Sequence, residues 1–202
     1  VRSESGEPVL LETDHILIAT GSVPACPPIP GADLPGVVTS DGLLDKQDMF
    51  GHLIIIGGGV IGMEFASIYS SLGHPVTVIE ALDRILPGMD KMILKKRGTD
   101  IHTGARVEEI LRAGDGRGLA CRFVEKDKAW EVTADGILIA TGRRAYTGGL
   151  ISEESSQDIK DMAMERGRIV TDGNHETSVP GIYAIGDVAG GIQLAHAATA
   201  QG

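Results

Sequence analysis

The sequence predicts an α/β fold, with a parallel sheet and a small antiparallel meander. Three observations predict it. The glycine-rich run GGGVIG, Gly57 to Gly62, directly follows an apolar run and opens a stretch with helical spacing. The segment DHILIATG, Asp14 to Gly21, returns as DGILIATG, Asp135 to Gly142, changed only at its second residue. Between the two, short alternating stretches read as strands. An apolar strand running into Thr-Gly is a common late strand of a nucleotide-binding domain. Two such ends but one glycine loop imply two related domains, the first of them entered late, so the chain reads as the central part of a longer one.

Taken in order, Val9 to Ala19 reads as strands, with Leu10, Leu11 and the run Ile16-Leu17-Ile18. Gly21 to Gly36 holds five prolines and reads as a loop, and Thr39 to Gly51 as a linker. Leu53 to Ile56 is continuously apolar, as in a parallel strand buried on both faces. After the glycine loop, Ile61, Phe65, Ile68, Tyr69 and Leu72 fall at helical spacing and Gly73 ends the helix. Val76 to Ile79 is a second strand, closed by Glu80. Strand, loop, helix, strand and acid make a right-handed βαβ unit.

Arg106 to Leu111, Leu119 to Val124 and the pair Trp130 and Val132 predict the meander, with a turn at AGDGRG. Ile137 to Gly142 is the second ATG strand. Glu153 to Arg168 is charged and weakly periodic. GIYAIGD, Gly181 to Asp187, is an apolar strand ending in an acid, followed by the small-residue segment AGGIQLAHAATAQG.

Net charge is −10 and the pI about 5.0, which excludes nucleic acid or an anionic membrane surface as the main partner. Hydrophobic residues make up 42% and charged residues 23%, as in ordinary globular proteins. No apolar run approaches the roughly 18 residues of a membrane span, and no signal peptide stands at Val1, which opens inside a strand-like region. The two cysteines, Cys26 and Cys121, form neither a CxxC pair nor a disulfide framework, so a reducing cytoplasm is expected. Cys26 lies in a proline loop, and Cys121 alternates with Leu119 and Phe123 on one strand face; both read as structural. None of the six histidines has a partner at ligand spacing, so no metal site is expected, and His196 reads as a packing residue.

The loop carries the chemistry. Gly57, Gly59 and Gly62 match GxGxxG in the context that gives the match meaning, after a strand and before a helix. Gly57 permits the tight turn, Gly59 lets the backbone approach a pyrophosphate, and Gly62 lets helix and strand pack closely. The helix N-terminus offers N–H groups and partial positive charge to phosphates. Glu80 lies 18 residues past Gly62, where an acid bonds ribose hydroxyls and repels a 2′-phosphate, so NAD is expected over NADP. Glu64, placed in the first helical turn, either complements the dipole or reaches the nicotinamide end of the cofactor. Asp187 either caps a following helix or holds a ligand hydroxyl at the carboxyl end of its strand.

The pieces IATGSVP with PPIPG, IIIGGGVIGMEFA, VTVIEALDRILPGMD, IATGRR, TSVPGIYAIGDV and LAHAATAQG run nearly end to end. Together they resemble the pyridine nucleotide-disulfide oxidoreductases, and LAHAA resembles the dihydrolipoamide dehydrogenase branch. The resemblance implies that residues 1–45 are the late part of an FAD-binding domain, 46–145 an NAD-binding domain, and 146–202 the returning FAD segment. It places Gly57, Gly59, Val60, Ile61, Gly62, Glu64, Glu80, Val107 and Gly142 at NAD, and Thr20, Gly21, Asp187 and Ala195 at FAD.

It further implies a homodimeric flavoprotein parent that oxidises the dihydrolipoyl group on the lipoyl domain of a 2-oxoacid dehydrogenase or glycine cleavage complex. Electrons would pass through a redox-active cysteine pair and FAD to NAD+. That pair, the FAD glycine loop and the His–Glu acid/base pair find no match in these residues. The chain therefore carries no catalytic residue and is expected to be inactive alone, with FAD held only by the parent. Other flavin oxidoreductases of NADH oxidase or peroxidase type, or a non-catalytic NADH-binding module, are the alternatives. Two departures stand out. Ala145 and Tyr146 replace the family's Pro-Asn. Lys91 to Asp100 is too short for the family's helix and its connection, so residues are expected to be missing between Asp90 and Lys91.

Overall fold

The computed structural model describes residues 9, 11–86, 99–114, 116, 118–153 and 155–202. The expected gap between Asp90 and Lys91 lies outside the described residues. The chain forms two compact units, Val1–Val23 with Arg143–Gly202, and Pro24–Gly142.

The first unit opens with β1 (Ile16–Ile18) and most of β2 (Ser22–Pro24), whose last residue begins the second unit. Among the described residues of the stretch Val9 to Ala19, only Ile16–Ile18 is strand.

The second unit contains β3 (Val37–Thr39), α1 (Ser40–Leu44), β4 (Leu53–Ile56), α2 (Val60–Ser71), β5 (Val76–Glu80), β6 (Thr99–Thr103), β7 (Ala105–Arg112), β8 (Leu119–Glu125), β9 (Lys128–Ala134) and β10 (Gly136–Ile139). Five strands form a parallel sheet in the order β3-β10-β4-β5-β6. Every residue of β4 and β10 is buried, because this sheet is covered on both sides. The period-two alternation of β4 divides the cover. Leu53 and Ile55 pack with Met63, Ala66 and Tyr69 of α2. Ile54 and Ile56 pack with Ile110, Leu119, Cys121 and Phe123 of the antiparallel meander β7-β8-β9.

Helix α2 buries Met63, Ala66, Tyr69 and Ser70, whereas Ile68 and Leu72 of the predicted stripe are 51% and 62% exposed. It ends as expected: Gly73 has φ +86°, and the N–H of His74 returns to the Tyr69 carbonyl. The expected linker holds α1, capped by Thr39 Oγ1, which accepts from the Gly42 N–H at 3.3 Å.

The compact units divide at 23/24 and 142/143. Val37–Thr39 is the edge strand of the five-stranded sheet, Ile29 and Leu34 join the meander core, and Leu43 joins the helix side. The proline-rich loop is tied to β7 by the Ile110 N–H, which donates to the Pro30 carbonyl at 2.8 Å.

The chain then returns to the first unit with β11 (Arg143–Ala145), α3 (Gln157–Lys160), β12 (Met164–Glu165), β13 (Arg168–Ile169), β14 (Ile182–Ala184), a 3₁₀ turn at Gly186–Val188 and α4 (Ala195–Gln201). β14 runs parallel to β1, with Ile16 opposite Ile182. β11 pairs with β2. Its core joins Ile18, Ala145, Met162, Ile169, Ile182, Ala184 and Val188. β12 and β13 form a hairpin whose two turn residues, Arg166 and Gly167, both have positive φ (49° and 76°), the geometry of a type I′ turn.

Candidate dinucleotide site

The loop at Gly57–Gly62 joins the carboxyl end of β4 to the start of α2. Each of its glycines meets a different surrounding. Gly57 has φ +113°, donates its N–H to the Ile79 carbonyl at 2.9 Å, and backs onto the Ala140 carbonyl so closely that no Cβ fits. Gly62 backs onto the Gly57 carbonyl in the same way. Gly59 is exposed, caps α2 with its own carbonyl, and has nothing within 4 Å of where a Cβ would stand. The loop is therefore packed where it touches strand and helix and open at Gly59 alone of the three. The N–H groups of the first helical turn have no carbonyl partner within the helix. An open, side-chain-free approach to them can admit a phosphate group.

Val60 and Glu64 are exposed and Ile61 half-buried along the start of α2. Glu64 is the fifth residue of α2, and no acid lies in the first turn. Its expected interaction with the dipole at the first turn is corrected accordingly, because the helix begins at Val60 rather than at Gly62.

Glu80 closes β5 beneath the loop. Its Oε2 accepts from the Gly58 N–H at 2.5 Å, and its Oε1 accepts from the Leu82 N–H at 2.7 Å. The Leu82 carbonyl in turn accepts from the Gly104 N–H at 2.7 Å. Gly104 leads into β7, where Val107 is half-buried against the meander core beside a bulge between Val107 and Glu109. Gly142, with φ +131°, follows β10; its carbonyl accepts from the Ala25 N–H at 2.9 Å and open space surrounds it.

The residues assigned to FAD lie in the other unit. Thr20 Oγ1 donates to the Tyr146 carbonyl at 2.6 Å, and the Gly21 carbonyl accepts from the Tyr146 N–H at 2.9 Å. Tyr146 thus uses its backbone here, whatever its side chain. Asp187 lies in the 3₁₀ turn, and its Oδ2 accepts from Ser22 Oγ at 2.5 Å. Arg143 Nε donates to Ser22 Oγ at 2.7 Å and Nη2 to the Ser22 carbonyl at 2.7 Å. Ala195 opens α4 and is exposed. Ser22 and Arg143 escaped the reading of the sequence, yet a signal was present: each is the residue directly after one copy of the repeated Ala-Thr-Gly.

Cys121 is buried, and burial pushes its thiol up to about 12, whereas Cys26 is exposed. Among the described residues no cluster of three or more His, Cys, Asp or Glu could hold a metal ion, and no helix is long and apolar enough to cross a membrane.

A profile described as pyridine nucleotide-disulphide oxidoreductase matches residues 2–202. Dihydrolipoyl dehydrogenase 3 of Pseudomonas putida is 38% identical, over 98% of this chain and 43% of its own length. The probable pyridine nucleotide-disulfide oxidoreductase RclA of Escherichia coli is also 38% identical, over 91% of this chain and 41% of its own. Among solved structures, LpdA of Mycobacterium tuberculosis superposes with a TM-score of 0.82 at 30% identity, covering 99% of this chain and 43% of that one. The chain thus spans about two-fifths of the length of these relatives. By the profile and by these relatives, the chain belongs to the pyridine nucleotide-disulphide oxidoreductase family.

Proposed function

We propose that the unit Pro24–Gly142 binds NAD(H), as part of a dihydrolipoamide dehydrogenase. The observation that carries this is the glycine loop, jammed at Gly57 and Gly62 and open at Gly59 where α2 begins. On this reading the open face takes the pyrophosphate, Glu80 takes the adenosine ribose, and Val60, Ile61, Glu64, Val107 and Gly142 line the rest of the cofactor. Thr20, Gly21, Asp187 and Ala195 serve FAD in the parent protein. Bound NAD+ and FAD supply the hydride chemistry by which such a parent oxidises the dihydrolipoyl group of a lipoyl domain. What these residues do themselves is bind and orient: the loop amides neutralise the pyrophosphate, and Glu80 disfavours a 2′-phosphate beside it. The parent works as a cytoplasmic homodimer in this proposal.

Titration calorimetry with NADH and NADPH tests it. NADH binds more tightly, because like charges about 4 Å apart cost on the order of 1–4 kcal/mol at surface-like dielectric. Equal affinities would remove Glu80 from the ribose, and no NADH binding would remove the reading. The 202-residue chain, which holds one GxGxxG, takes up no FAD and shows no lipoamide-dependent NADH turnover. A bound-flavin spectrum would contradict that. A second reading, a different flavin disulfide reductase, is favoured by RclA, whose identity equals that of the dihydrolipoyl dehydrogenase. Lipoamide turnover by the full-length protein separates the two.

A further inference from the structure

Gly58 is held through both its N–H and its carbonyl, by the last residue of β5 and by the segment that follows it. Its N–H donates to Glu80 Oε2 at 2.5 Å, and its carbonyl accepts from the Leu86 N–H at 3.2 Å. Ile85 Cγ2 lies 2.7 Å from where a Gly58 Cβ would stand, so the peptide is also held from below. The neighbouring Gly57 N–H is taken by Ile79, the residue before Glu80. The second carboxylate oxygen of Glu80 is engaged by the Leu82 N–H, which fixes the side chain's direction. Gly58 is buried and Gly59 exposed. Gly59 thus faces outward where Gly58 is held inward, and the side chain that accepts from Gly58 is Glu80.

We infer that Glu80 is a positioning residue for the phosphate loop, in addition to any contact with ribose. An N–H bonded to a carboxylate is among the stronger hydrogen bonds in proteins. One of them holds Gly58 and the other holds Glu80 in place to do so, which readies the loop before the cofactor arrives and lowers the ordering cost of binding. A consequence follows for specificity. Replacing Glu80 to admit NADPH removes the like charge but also releases Gly58, so the exchange weakens NADH without a matching gain for NADPH.

The inference rests on NAD(H) binding at this loop, and its test separates the two. The 202-residue chain and its Glu80→Ala and Glu80→Gln variants are compared by residue-resolved hydrogen exchange without ligand, and by competition of inorganic pyrophosphate against NADH. Pyrophosphate has no ribose, so a ribose contact cannot affect it. In Glu80→Ala the amide of Gly58 exchanges at least about ten-fold faster, the scale of one lost charge-assisted hydrogen bond, while those of Cys121 and Phe123 in the meander are unchanged. Pyrophosphate also competes more weakly, although a negative charge has been removed. Glu80→Gln, which keeps one acceptor, falls between. Unchanged exchange at Gly58, or tighter pyrophosphate binding in Glu80→Ala, would overturn the positioning role. Meander amides that also speed up would report general unfolding; the Glu80→Gln data then decide, by whether Gly58 loses protection selectively. Failure of the unsubstituted chain to bind NADH sinks the proposed function, and hydrogen exchange at Gly58 then decides the clamp by itself.

Discussion

Gly62 backs directly onto the carbonyl oxygen of Gly57, so a methyl group on Gly62 would overlap the first residue of its own loop. At Gly59, three residues earlier, the same methyl group would meet nothing within 4 Å. The two glycines therefore fail differently. Gly62→Ala overpacks a buried contact, which costs about 1–3 kcal/mol and lowers the thermal midpoint. Gly59→Ala changes stability by less than about 1 kcal/mol but fills the face offered to the pyrophosphate, weakening NADH by at least about ten-fold, one lost charge-assisted hydrogen bond. Calorimetry of unfolding and of NADH binding separates them; equal loss of stability in both variants would contradict the geometry.

The two thiols differ in access. Cys26 is exposed, whereas Cys121 is sealed between Ile110 and Val132 in the meander and its thiol is pushed up to about 12. Attack needs a reachable thiolate. A thiol-disulfide reagent such as DTNB at pH 8 titrates one cysteine in the native chain and both in denaturant. Fast reaction of two native thiols would place Cys121 at the surface.

His52 carries a pH dependence. Burial lowers its ionisation below the ordinary value near 6.5, against an opposing pull from Asp135. Its Nε2 lies 3.1 Å from Thr77 Oγ1. The folded chain favours the neutral ring, so between the lowered folded value and about 6.5 the unfolded chain binds more protons. Stability from this group is present above that window and is lost as pH falls through it. The thermal midpoint of the native chain therefore falls more steeply from pH 7 to pH 5.5 than that of His52→Gln. Parallel slopes would show that burial of His52 does not reach its titration.

Ser22 joins two charged groups, donating to Asp187 and accepting from Arg143. Ser22→Ala removes both bonds and leaves the carboxylate without that donor. The cost is about 1–3 kcal/mol, reduced by partial exposure, and is read from the urea midpoint of the unit that contains it. Ser22→Thr, which keeps the hydroxyl, recovers part of the loss.

Much of the site was legible in the amino-acid order. The run Leu53–Ile56, the helix stop at Gly73, the acid closing β5 and the buried face of Leu119, Cys121 and Phe123 all follow from local periodicity and glycine geometry. What escaped depends on partners far apart in sequence. The placement of Val37–Thr39 at the sheet edge turned on its pairing with β10, a hundred residues later along the chain. The hairpin of β12 and β13 has two-residue strands, too short to carry a period. The hydrogen bond of Glu80 to Gly58 depends on β5 lying beside β4, which no spacing rule states.

The repeated tripeptide Ile-Leu-Ile marks the division most sharply. By itself the sequence determined that both copies are strands and that Thr-Gly follows each, because β-branched and apolar side chains favour an extended chain wherever they stand. Only the tertiary structure decided how deep each lies. Ile137 and Leu138 are fully buried, since β10 is flanked by β3 and β4 and covered on both faces. Ile16 and Leu17 are 47% and 54% exposed, with β14 as the strand paired to β1. The same residues carry the same propensity; burial is a property of the neighbours, and neighbours are chosen by the fold.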